Sequence, residues 1–146
     1  MAWDPHVQLN FPPTDARWHV ALVGNDGVTW GSTNFTLSQQ DGANIAAIFA
    51  AEERQAELNV GGGAQTYITR YPKAFQTGIV IGDKKYMAST AENGALYGRK
   101  GADGVCVLRL SGGTGFVVAT HDAGLHPILL NQHLGEFIDY LKKMGY

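Results

Sequence analysis

The sequence predicts an α+β domain. One central antiparallel sheet of about five to seven strands carries an N-terminal and a C-terminal helix on one face. Three observations predict this. First, between residues 77 and 121 short β-branched and apolar runs are separated by turns rich in glycine. That spacing is that of an antiparallel meander and not of βαβ units. Second, Leu130, Leu134, Phe137 and Leu141 recur at helical spacing after Pro127, and such a stripe must be buried against another layer. Third, a tryptophan stands at position 3. Chain ends ordinarily fray, so this large apolar ring requires the N-terminal segment to be docked. A length of 146 residues fits one domain spanning 1–146.

The elements follow in order. A short helix starts at Asp4-Pro5, because proline suits a first helical turn, and Pro12-Pro13 stops it. The stretch WHVALVGNDGVTWGS reads as a hairpin turning at Asn25-Asp26-Gly27. Ser38 or Asp41 caps the next helix, in which Ile45, Ile48, Phe49 and Glu52 recur at helical spacing. Residues 54–76 form a long excursion with three consecutive glycines and a small strand at Tyr67–Thr69. This segment is expected to fold over the domain as an ordered hairpin. About five short strands come next, with turns at Gly82-Asp83, Glu92-Asn93-Gly94, Gly101–Gly104 and Ser111–Gly115. The last helix opens at Pro127. Leu129 and Ile138 flank its stripe, and Lys142 and Lys143 sit in its final turn, where cations suit the helix dipole.

Net charge is −2, which argues against general nucleic-acid binding. The charge is unevenly spread. Residues 1–59 hold two arginines against seven acids, whereas residues 60–146 hold nine cations against six acids. A split of this kind fits a basic face that meets an acidic partner. No apolar run is long enough to span a membrane, and no secretory signal is visible. The lone Cys106 lies in VCVLRL. It reads as a small buried hydrophobe, and a single cysteine fits a reducing compartment.

Chemistry is not expected. His121, His126 and His133 are not spaced as a helical metal pair, and Cys106 has no partner cysteine. VGGGAQT and SGGTG lack the lysine of a phosphate loop. A mid-strand cysteine is badly placed as a nucleophile. No catalytic residue, cofactor or metal ligand is assigned, and the chain is expected not to be an enzyme.

Five stretches, in order, resemble the profilins, a family of small actin-monomer-binding proteins. MAWDPHV resembles the family's opening. ALVGNDGVTW resembles its first hairpin, a Gly-x-Asp-Gly turn followed by tryptophan. GDKKYM resembles one of its strands, YGRKGADGV its glycine-rich basic loop, and LGEFIDYLKKMGY its last helix. The likeness covers nearly all of the chain except the excursion at 54–76, which reads as an insertion.

The resemblance implies two binding surfaces. Between the terminal helices the family binds proline-rich peptides. The matching positions are Trp3, Trp30, Tyr140 and Tyr146, with His6 where the family commonly has a tyrosine. Actin contacts fall at Lys85, Arg99, Lys100, His126, Asn131 and Glu136; basic residues that some members carry near Thr90 and Gln132 are absent. Lys84, Lys85, Arg99 and Lys100 match a polyphosphoinositide-binding patch. The resemblance thus implies a monomeric, cytoplasmic, cytoskeletal adaptor. It would hold monomeric actin and proline-rich proteins and regulate actin polymerisation. The alternative is a domain of the same shape acting as a sensor or scaffold, which binds a small ligand or dimerises and never meets actin.

Overall fold

The computed structural model describes residues 3–56, 66–122 and 124–146. Helix α1 spans Asp4–Asn10, and strands β1 and β2, His19–Gly24 and Thr29–Thr33, form the first hairpin. Helix α2, Gln39–Ala50, leads into strands β3 (Glu53–Ala56) and β4 (Tyr67–Arg70). Helix α3, Pro72–Thr77, precedes β5 (Ile79–Ile81), β6 (Lys84–Glu92), β7 (Ala95–Lys100), β8 (Asp103–Arg109) and β9 (Gly115–His121). Helix α4, Pro127–Lys143, closes the fold.

The sheet runs β2-β1-β9-β8-β7-β6-β4-β3, with β5 also paired to β6, and every pairing is antiparallel. Both faces are covered. Val20, Leu22, Cys106, Val117 and Ala119 face α1 and α4, meeting Val7, Leu130, Leu134, Phe137 and Leu141. The alternate residues Ala21, Val23, Val105, Val107, Phe116 and Val118 face α2 and α3, meeting Ile45, Ile48, Phe49, Tyr71 and Ala74. A sheet covered on both sides has no polar face to leave to water, which is why β1, β8 and β9 read as nearly continuous apolar runs.

Local devices match the expected ones. The Ser38 hydroxyl caps α2 by accepting from the Asp41 N–H at 3.1 Å. Asp41 is instead a tether, its carboxylate accepting from the Gly82 N–H at 2.8 Å. Asn93 and Gly94 both take positive φ, 51° and 80°, the conformation that a tight hairpin between β6 and β7 needs.

Three expectations are corrected. There are nine strands among the described residues, against five to seven expected. The strand with no counterpart in the sequence reading is β3, which pairs with β4. β4 extends the anticipated Tyr67–Thr69 by one residue, whereas β3, Glu-Arg-Gln-Ala, is exposed throughout and shows no alternation to read. Helix α2 ends at Ala50, and Glu52 lies beyond it, pairing with Arg109 at 3.4 Å. The excursion is also less separate than expected. The β3–β4 hairpin does not lie over the domain but prolongs the sheet beyond β6, joining it at Arg70↔Glu92. Its final third is structural, since Tyr71 and Ala74 are buried and α3 occupies 72–77. The run Gly61–Gly63 lies outside the described residues.

Candidate functional site

The structure brings the five expected aromatic positions together. Trp3 stands at the head of α1, where its carbonyl accepts from the N–H groups of His6 and Val7 at 3.0 and 3.1 Å. Its indole lies 5.6 Å from Trp30 of β2 at an interplanar angle of 31°, and meets Tyr146 edge-on at 4.9 Å. His6 lies one helical turn on, 5.6 Å from Trp3, and its Nδ1 is 2.9 Å from the Tyr140 hydroxyl of α4. All five rings are half-buried, resting on the core layer beneath α1 and α4.

Backbone chemistry fixes this corner. The Asp4 carboxylate accepts from the Ser32 N–H at 2.9 Å, docking α1 on β2. Gly31 lets the chain at Trp3 come close, since a Cβ there would sit 2.6 Å from the Trp3 carbonyl carbon. The Tyr146 carbonyl accepts from the Ser111 hydroxyl at 2.9 Å and the Gly112 N–H at 3.3 Å, and its N–H donates to Leu141. The result is a set of fixed flat rings with indole, phenol and imidazole donors along one ridge.

A second feature lies on the other flank of α4, over β7. A depression of about 260 Å³ is lined by Thr90, Tyr97, Arg99, His121, Pro127 and Asn131. A second one of similar size shares Arg99, His121 and Pro127 and adds Asp122 and His126. His126 caps α4, its Nδ1 accepting from the Ile128 N–H at 3.2 Å. Arg99 is the Cα partner of Met87 on β6 and of Gly104 on β8. Gly104 has no side chain for a reason: a Cβ there would overlap the imidazole of His121. Beneath, burial pushes the Cys106 thiol and the Tyr97 phenol up, each to about 12. This floor is neutral, so the charges at the site are those of Arg99 and of the Asp103 and Asp122 carboxylates at its rim.

Of the residues matched to actin binding, Arg99, His126 and Asn131 therefore share one surface. Lys85, on β6, alternates with the core-facing Tyr86. Lys100 falls in register with Leu96 and Gly98 and pairs with Asp103, so it points to the α2 side of the sheet. Glu136 lies about 140° around the helix from Asn131, and its carboxylate is 3.7 Å from His133. The four matched phosphoinositide cations are divided by the same register. Lys84 lies with Lys100 on the α2 side, bound to the Asp103 carboxylate at 3.0 Å, which raises its pKa.

Sequence reasoning missed His121, Tyr97 and Met87 as neighbours of Arg99. The available signal was the pairing of β8 with β9, which sets a glycine opposite a histidine. Among the described residues, no group of three His, Cys, Asp or Glu side chains is arranged to hold a metal, and no helix is long and apolar enough to cross a membrane.

The chain is similar to known proteins along its whole length. The chain is 31% identical over 143 residues to profilin-2 of Dictyostelium discoideum, with 97% of this chain and 96% of that one covered. It is 25% identical over 146 residues to profilin-A of Physarum polycephalum, covering both chains in full. Profilin II of Acanthamoeba castellanii shares its fold at a TM-score of 0.76 and 22% identity, over 99% of each chain. A profilin solved as the LokiProfilin2/rabbit actin complex does so at 0.63 and 18%, over 94% of this chain and 92% of that one. The profilin family model matches residues 1–146 without remainder, and on that match the chain belongs to the profilin family.

Proposed function

We propose that the protein binds monomeric actin through the Arg99–His126–Asn131 surface and proline-rich peptides through the Trp3 cluster, and so regulates actin polymerisation without catalysis. The observation that carries this reading is the ridge of five half-buried rings at the joined termini. A proline-rich strand is extended before it binds and loses little entropy on binding. It offers flat pyrrolidine faces and carbonyl acceptors but no proline N–H, so a cluster of aromatic rings with polar edges is its natural complement.

The actin half of the reading rests on family membership and on the Arg99 depression, with a relative solved in a complex with rabbit actin. Arg99 has neighbours that supply directional donors and acceptors, which suits an acidic protein surface. A polyphosphoinositide headgroup on this side would meet Lys85 and Arg99 but not Lys84 and Lys100.

Two assays test the reading. Tyr146→Ala keeps the backbone tie to Ser111 and removes only an outer ring. It should weaken a proline decamer's titration of tryptophan fluorescence about fivefold or more, with little change in Tm. The parent should also lower the pool of polymerisable actin in a monomer-sequestration assay. A parent that is not retained on polyproline resin and leaves polymerisation unchanged would instead be the sensor or scaffold alternative.

A further inference from the structure

His6 gives the aromatic ridge something that a ring without a titrating nitrogen would not. Its Nδ1 lies 2.9 Å from the Tyr140 hydroxyl, and two such atoms share one proton between them. With His6 uncharged and its proton on Nε2, Nδ1 is an acceptor and the bond runs O–H···N. The Tyr140 proton is then directed inward, and the hydroxyl shows the ridge only lone pairs. Once His6 is protonated, both ring nitrogens carry protons. Nδ1–H then donates to the Tyr140 oxygen, and the hydroxyl proton turns outward.

We infer that the aromatic ridge is a proton-gated site, in which protonation of His6 releases the Tyr140 hydroxyl to donate to a ligand carbonyl. The inference rests on the proposed binding of proline-rich peptides. Such a ligand presents carbonyl oxygens and no proline N–H. A Tyr140 that offers only lone pairs opposes it, and one that offers a proton adds a hydrogen bond. Protonation of His6 on acidification therefore tightens binding. One hydrogen bond gained corresponds to about three- to tenfold in affinity.

The surroundings leave this proton to the pair. Trp3 from α1 and Tyr140 from α4 are the rings against His6. The nearby carboxylate of α1, Asp4, accepts from the Ser32 N–H. On α4, Asp139 lines a depression over Asn93 and Gly94 on the other flank of the helix, and Lys143 is exposed one turn beyond Tyr140. On the C-terminal side, the Tyr146 carbonyl is taken by Ser111 and Gly112. No ion pair to His6 is formed among the described residues.

The test is a proline decamer titrated against the full chain at steps from pH 8 to 5, in the parent, Tyr140→Phe and His6→Phe. The parent should bind about three- to tenfold more tightly at the acid end. Tyr140→Phe should be flat with pH and weak, because no hydroxyl remains. His6→Phe should be flat with pH, because its Tyr140 proton is never withheld. Circular dichroism at each pH confirms that all three stay folded. A parent profile that is flat while binding persists overturns the gating and leaves the proline reading standing. So does an acid-tightened profile that survives in Tyr140→Phe. Absence of binding at every pH in all three overturns both.

Discussion

Cys106 and Tyr97 sit side by side under the Arg99 depression, and both resist ionisation. Each loses hydration when charged, so the folded chain holds the thiol proton up to about 12 where a free thiol holds it to 9, and the phenol proton to about 12 where 10 is usual. A pKa raised on folding means that the folded state binds the proton more tightly than the unfolded state does. Its stability is complete below the unfolded value and is lost as pH rises towards the folded one. Denaturation midpoints should therefore hold to about pH 9 and then fall, with Cys106 acting first and Tyr97 joining from about 10. Cys106→Ala should cost about 1 kcal/mol at pH 7 for the small cavity and flatten the fall between pH 9 and 10. An unchanged slope in that window would remove Cys106 as its cause. Residues of this kind were legible when their type was rare for their position. Trp3 near a chain end and a lone cysteine in an alternating run announce burial. His121 did not, because its placement depends on a glycine 17 positions earlier that becomes its neighbour only through the β8–β9 register.

Among the elements, the meander from β5 to β9 and helix α4 were readable from period and turn chemistry, because each carries its own alternation or stripe. Of the excursion, β4 was readable at Tyr67–Thr69, but β3 and α3 were not. β3 has no buried side, and α3 is too short to show a helical period. What holds this region is Tyr71, which is 2% exposed, packs edge-on against Phe49 at 5.1 Å and accepts from the Gly94 N–H at 2.9 Å. By contrast Tyr67 is 52% exposed, and its ring is covered by the Arg54 guanidinium at 4.6 Å. Two substitutions four residues apart should therefore behave very differently. Tyr71→Ala should cost about 3–5 kcal/mol. Tyr67→Ala should cost less than about 1 kcal/mol, because an exposed cation–π contact is worth little more. Urea unfolding of the two variants measures both. A comparable loss from Tyr67→Ala would mean that the hairpin is anchored through its own ring and not through Tyr71.

Across the whole molecule, the two proposed binding surfaces occupy the same face of the sheet, the one beneath α1 and α4, and α4 separates them. Trp30 lies on β2 and Arg99 on β7, four strands apart in the sheet order, or about 19 Å at ordinary strand spacing. Substitutions that far apart with no shared partner add independently. Arg99→Glu should therefore weaken actin binding while the proline decamer binds as in the parent, and Trp3→Ala should do the reverse. The double variant should show the sum of the two effects in each assay. The register of β7 adds an internal control. Lys100 is adjacent in sequence to Arg99 but points to the α2 side, so Lys100→Glu should change actin affinity far less than Arg99→Glu does. Because the Arg99 side chain is exposed, its effect should grow as salt is lowered and the Debye length lengthens past about 10 Å. Equal losses from Arg99→Glu and Lys100→Glu would move the actin surface to the edge of the sheet shared by both faces. A loss of decamer binding in Arg99→Glu would show that α4 couples the two flanks it divides.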